Sequence, residues 1–272
     1  MDPQDSAAAV LGRSIRTRQK PDYPAAARDM DELLAARLAT APGLVRAGAS
    51  CWDHARTPIH ALSMESAYGE PQLLRDLGTH GARFLQDLGI EVVVGAETAG
   101  VPLATSVSLS AELPFAFVRK PGYRGHELDE PPVRGADVAA RRVLLVDDAV
   151  SSGASVERFS ASLASVGAEV VAVFVLVDMR DVADTVSPVA SALPTGSVST
   201  YLQVLDLATD NGLLDPALKQ LTVDAIVNRW TDDDPRWDLL PVTADGPSAV
   251  PLRHACPVVG VTALADTGDG RG

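Results

Sequence analysis

Thirteen consecutive residues, 143–155, carry the most pointed chemistry in the chain: Val-Leu-Leu-Val, then Asp147 and Asp148, then Ala149, Val150, Ser151, Ser152, Gly153, Ala154 and Ser155. Four apolar residues suit a buried central strand, so the acidic pair emerges at its end. Two adjacent carboxylates there can accept hydrogen bonds from vicinal hydroxyls, or approach a metal carried by a ligand. The five small residues that follow open a helix, and their backbone N–H groups and hydroxyls can close on a phosphate at its N-terminus. Carboxylates for a sugar and a nest for its phosphate, about one turn apart, suit a ribose 5-phosphate. Solvated acids before an ordinary capped helix would explain the pair alone but not the whole run.

These residues need a scaffold, and the flanking pattern supplies one. Residues 71–88 place Leu73, Leu74, Leu77, Phe84, Leu85 and Leu88 on one helical face, predicting about five turns ended by Gly89. A β-branched strand is predicted over 90–94, a glycine-bounded turn over 95–100, a helix through Leu109 and a strand over 113–118. Residues 119–139 read as a long charged loop. A strand over 142–146, a helix to about Ser165 and a strand over 169–177 complete the alternation. Strands alternating with helices predict an α/β fold with a doubly wound parallel sheet. Ligands of such sheets bind at the carboxyl ends of strands, where the turns after Val94 and Val146 both fall.

The outer segments are less regular. Residues 1–23 read as a flexible arm. A domain over 24–215 divides into a small N-terminal hood (about 24–70) and a core (about 71–215). The hood opens on a helix with Met30, Leu33, Leu34 and Leu38, stopped at Ala41-Pro42-Gly43, and its stretch from Ser50 to Tyr68 shows no period. A short strand over 198–202 leads to a helical segment. Residues 216–272 form a C-terminal extension: a helix over 216–230 with Leu218, Leu221, Ala225 and Ile226 on a face, then a Pro/Gly-rich wrap or tail. Trp230 and Trp237 are expected as packing anchors. His80, off the leucine face of its helix, is expected to be solvated.

Composition narrows the function classes. The 272 residues are 46% hydrophobic and 22% charged, with a net charge of −13, which gives ample core material. The acidic balance argues against nucleic-acid or anionic-membrane partners, but not against a small phosphorylated ligand. The longest apolar run, 170–177, is less than half of a bilayer span. Arg13, Arg16, Arg18 and Lys20 precede no apolar signal region, so a cytoplasmic protein is expected. Cys51 and Cys256 make neither a disulfide framework nor a metal box, and Cys51 reads as a free thiol. GxxxxGK[ST], HExxH, GxSxG and CxxC motifs are absent.

Residues 143–155 resemble the PRPP-binding signature of the type I phosphoribosyltransferases, and the likeness extends over about 45–215, closest to the orotate phosphoribosyltransferases. Residues 93–102, with Ala96, Glu97, Thr98 and Ala99, resemble that family's pyrophosphate loop. Arg119 and Lys120, followed by Arg124 and His126, resemble its flexible catalytic loop. The resemblance implies transfer of a 5-phosphoribosyl group from PRPP to a nitrogenous base, with Mg2+, in a homodimer whose loop reaches the neighbouring subunit. Asp147 and Asp148 would hold the ribose hydroxyls and residues 151–155 the 5-phosphate, with Ala149 also binding PRPP. A cationic loop in an acidic protein suits leaving-group stabilisation, and its closure would exclude water.

Departures from the family pattern bear on the loop and the acceptor. Pro121-Gly122-Tyr123-Arg124 stands where a further lysine is usual, and Arg124 is a poorer proton donor. Glu97 puts a negative charge beside the expected pyrophosphate. Trp52 lies near the position of the hood lysine, and His60-Ala61 near an aromatic pair. Arg56, His60 and Arg180 are the candidate acceptor-binding residues. Orotate is the default acceptor; a base of a specialised, secondary-metabolite pathway and a PRPP-sensing, non-catalytic regulator are the alternatives. A receiver-like domain would have no use for the small-residue nest.

Overall fold

The computed structural model describes residues 25–47, 50–52, 55–57, 60–120, 131–183 and 185–228. Its centre is a six-stranded sheet built from β5 (Val92–Ala96), β6 (Phe115–Val118), β7 (Val133–Gly135), β8 (Arg142–Val150), β9 (Glu169–Asp178) and β10 (Thr195–Thr200). The strand order is β10-β9-β8-β5-β6-β7. Every pairing is parallel except that of β7, which runs antiparallel to β6 at the edge. The chain builds outward from β5 to β6, then returns to the other side of β5 with β8. A crevice therefore opens between the carboxyl ends of β5 and β8, where such sheets bind ligands.

Helices cover both faces because the central strands are apolar on both. On β8, Leu144 and Val146 face one layer with Leu73 and Leu77 of α2 (Pro71–Phe84) and Leu103 and Val107 of α3 (Gly100–Ala111). Val143 and Leu145 face the other, against Val156, Phe159 and Leu163 of α4 (Ala154–Ser165). Burying each such side chain contributes about 1.5–3 kcal/mol. The short α5 (Pro188–Ala192) lies on the α4 side and α6 (Tyr201–Asp210) on the α2 side.

Several boundaries differ from the sequence expectation. The helix begun at Pro71 stops at Phe84, and Leu85 and Leu88 pack from the turn beyond it. β8 runs four residues past Val146, because Asp147, Ala149 and Val150 keep their register with Val175, Val177 and Asp178 of β9. An edge strand, β7, interrupts the predicted long loop. The stretch without period holds β2 (Ser50–Trp52), β3 (Ala55–Thr57), β4 (His60–Leu62) and a 3-10 helix (Met64–Gly69). β4 pairs with β1 (Val45–Ala47), and β2 pairs with β3.

The helix α1 (Ala25–Ala39) buries Leu34 and Leu38, but Leu33 points outward at 63% exposure. It is fastened to α2 by Arg37, which meets Asp76 and, at 2.8 Å, Glu70. His80 is not solvated as expected: its side chain is 15% exposed, with Nδ1 3.0 Å from Asp31 and the ring beside Phe174. Burial lowers its pKa, with Asp31 opposing. The C-terminal α7 (Pro216–Val227) ends three residues short of the expected 230, its N-terminus capped by Asp215, which accepts from the Ala217 N–H at 2.7 Å. The expected arm (1–23), Trp230, Trp237 and the extension beyond them lie outside the described residues. Among the described residues, no helix is long and apolar enough to cross a membrane.

Candidate active site

The crevice is built from three loops at the carboxyl edge of the sheet. β5 pairs with β8 only as far as Gly95↔Val146. Beyond that point the last residues of β8 pair with β9 alone, so Asp147 and Asp148 emerge beside the turn that leaves β5. α3 begins directly against them. A Cβ on Gly100 would stand 2.4 Å from the Val146 carbonyl oxygen and 2.8 Å from the Asp147 Cα, so only glycine permits this approach.

The acidic pair is largely withdrawn from water: Asp147 is 9% exposed. Burial, and then the neighbouring Asp148, push the Asp147 carboxyl well above the usual carboxylate range; burial likewise raises Asp148. Each carboxylate accepts the next backbone N–H, from Asp148 and Ala149 respectively, at 2.9 Å. Two like charges held this close, and this dry, favour any partner that brings hydroxyl donors or a cation. Their oxygens fit a magnesium ion shared with a phosphorylated ligand. No three such side chains converge on a metal by themselves among the described residues.

Residues 147–156 line one cleft of about 300 Å3. Its floor is the run 151–155, and Gly153 turns the chain into α4 in the left-handed region at φ 78°. The Gly153 N-cap has no side chain of its own, and Ser152 Oγ accepts the Ala154 N–H at 3.4 Å; the N-terminal end of α4 that follows is suited to an anion. The Ser152 carbonyl accepts the Ser187 N–H at 2.7 Å, and Ser187 Oγ donates to Glu157 at 2.8 Å, so the segment before α5 backs the loop.

On the other side of the acids lie Ala96, buried at the end of β5, and Glu97, Thr98 and Ala99 of the following turn, with the Glu97–Thr98 peptide cis. The Glu97 carboxylate accepts the Lys120 backbone N–H at 3.0 Å, tying the turn to the root of the loop after β6. Lys120 is exposed and Arg119 half-buried. The Lys120 charge acts on Asp147, lowering its pKa against the larger effect of burial. Arg124 and His126 lie outside the described residues. Arg56 falls on β3 and His60 on β4.

Arg180 stands apart from the expectation that it meets a ligand. Its Nη2 donates to Asp178 at 2.6 Å and its Nη1 to the Ala190 carbonyl at 2.8 Å. An internal carboxylate thus holds the place proposed for an acceptor's.

Two groups were not foreseen. Tyr68, from the 3-10 helix, donates its hydroxyl to the Ala99 carbonyl at 2.8 Å. Burial, then Asp148 and Asp147, raise its pKa and keep it a donor. Asp181, after β9, has its carboxyl pushed up to about 6 by burial and then by Asp178. Tyr68 sits in the stretch without period, so only the paired fold reveals it.

A family model described as the phosphoribosyl transferase domain matches residues 72–193. An orotate phosphoribosyltransferase of Methanospirillum hungatei is 34% identical over 124 residues, which is 44% of this chain and 67% of the relative. A hypoxanthine/guanine phosphoribosyltransferase of the same organism is 30% identical over 112 residues, 37% of this chain and 61% of its own. The solved Leishmania donovani UMP synthase superposes with a TM-score of 0.61 at 21% identity, over 74% of this chain and 42% of that one. That last likeness is one of fold.

Proposed function

The chain belongs to the phosphoribosyltransferase family, and we propose that it transfers the 5-phosphoribosyl group of PRPP to a nitrogenous base with release of pyrophosphate. The observation that carries this reading is the cleft that Asp147, Asp148 and the run 151–155 line together at the sheet's switch point. The two acids accept hydrogen bonds from the ribose hydroxyls, and the N–H groups at the start of α4 hold the 5-phosphate. Residues 96–99 approach the pyrophosphate from the β5 side. The acceptor nitrogen forms its bond to C1 of the sugar as the C1–oxygen bond breaks and pyrophosphate departs with the electron pair. Arg119, Lys120, Arg124 and His126 offset the charge that develops on it. Asp147 and Asp148 would hold a magnesium ion brought with PRPP, which would supply further positive charge to the leaving group. In this reading the protein acts in the cytoplasm as a homodimer, with the loop after β6 closing over a partner's site.

Orotate is the default acceptor. The engagement of Arg180 by Asp178 favours the second reading, a base of a specialised pathway that carries no carboxylate. Pyrophosphate release from PRPP and Mg2+, measured across orotate, uracil, adenine, hypoxanthine and simple amines, tests both. Release that depends on one acceptor is the expected result. Tight PRPP binding without release for any acceptor would point to a PRPP-sensing regulator, and no PRPP binding would overturn the reading.

A further inference from the structure

Arg180 has a structural position that its sequence context does not suggest. Its side chain is 10% exposed, and each of its three guanidinium nitrogens donates a hydrogen bond. Nε and Nη2 form a fork on Asp178, at 2.9 Å to Oδ1 and 2.6 Å to Oδ2, while Nη1 reaches the Ala190 carbonyl of α5. Asp178 is the last residue of β9 and is in register with Val150, the last of β8. The Met179 N–H donates to the Val150 carbonyl at 2.7 Å, closing the same corner. One guanidinium therefore ties the end of the central strands to α5.

α5 in turn is the wall against which the phosphate loop rests. Ala190 is 1% exposed, and a Cβ on Gly153 would stand 2.3 Å from its Cβ. Three residues earlier, the Ser187 N–H holds the Ser152 carbonyl. A shift of α5 would be felt directly at Ser152 and Gly153, the two residues that turn the chain into α4.

We propose that Arg180 is a positioning residue for the phosphate nest. By spanning Asp178 and the Ala190 carbonyl it sets α5, and α5 fixes the conformation that aims the first N–H groups of α4 into the cleft. It acts without touching the substrate. The inference rests on the reading of residues 151–155 as the 5-phosphate site. It requires a guanidinium rather than a charge alone, because an ammonium lacks the planar fork that serves a carboxylate and a carbonyl together.

The test compares the full-length wild type with Arg180→Lys, which keeps a counter-charge for Asp178 and gives up the rigid span. Ribose 5-phosphate and inorganic pyrophosphate are titrated separately by calorimetry, and amide hydrogen exchange is followed over 151–156 and 187–193. The expected result is a loss of about tenfold or more in ribose 5-phosphate affinity, as for misplacement of a binding group. Pyrophosphate affinity should stay unchanged, and exchange should quicken in both segments. Wild-type affinity for ribose 5-phosphate in the variant, an equal loss for both ligands, or unchanged exchange would each overturn the proposal. A wild type that binds neither ligand would overturn the nest reading itself, and the inference with it.

Discussion

Replacing Gly100 with alanine tests how tightly the fold couples α3 to the acidic pair. The new Cβ would lie 2.4 Å from the Val146 carbonyl oxygen and 2.8 Å from the Asp147 Cα, both backbone atoms that no side-chain rotation can move aside. Restoring an ordinary contact near 3.4 Å at the carbonyl requires about 1 Å of separation between the first turn of α3 and the end of β8. Overpacking of this kind costs about 1–3 kcal/mol. The functional effect is larger, because the retreating atoms carry Asp147 on one side and residues 97–99 on the other. A displacement of about 1 Å at a reacting site lowers kcat/KM on the order of a hundredfold. Steady-state pyrophosphate release and urea unfolding, run side by side, measure the two effects. Gly69→Ala is the control: a Cβ there meets nothing within 4 Å, so both quantities should stay near wild type. A Gly100→Ala protein that loses stability yet turns over at the wild-type rate would refute the link between this packing and the placement of the acids.

Asp181 gives a pH signature. Its folded carboxyl titrates at about 6, above the ordinary 3.8, so its contribution to stability is intact below the ordinary value and is lost as pH rises through about 6. Asp181→Asn should therefore melt higher than wild type at neutral pH, with the advantage fading by about pH 4; an advantage that grows toward acid in thermal scans would contradict the assignment. Tyr68→Phe removes the 2.8 Å hydrogen bond to Ala99. Stability should fall by about 1 kcal/mol and the KM for PRPP should rise, with the acceptor KM unmoved. An unchanged KM for PRPP would separate Tyr68 from the site.

The central strands and their order of appearance were legible because an unbroken apolar run, a glycine stop and a following helix period leave little choice of element. The cleft was legible from two acids that follow four apolar residues and precede five small ones, although the pair stays within β8, which runs on to Val150. Less visible were features set by partners distant in sequence. β8 continues to Val150 only because β9 offers it a register, which no local pattern records. The strands between Ser50 and Leu62 are three residues each, too short to show alternation. His80 looked solvated on its own helix, yet α1 brings Asp31 over it. Arg180 carried the charge suited to a substrate carboxylate, but Asp178 two residues away already holds it.

The most direct measurement is a calorimetric titration of PRPP with Mg2+ into the wild type and into the Asp147→Asn, Asp148→Asn double variant. Saturable binding to the wild type is expected, with its loss in the variant. The variant's unfolding transition should stay at or above that of the wild type, because two buried like charges are gone. A variant that remains folded and binds PRPP as tightly as the wild type, or a wild type that does not bind it, would contradict the assignment of Asp147 and Asp148 to the sugar.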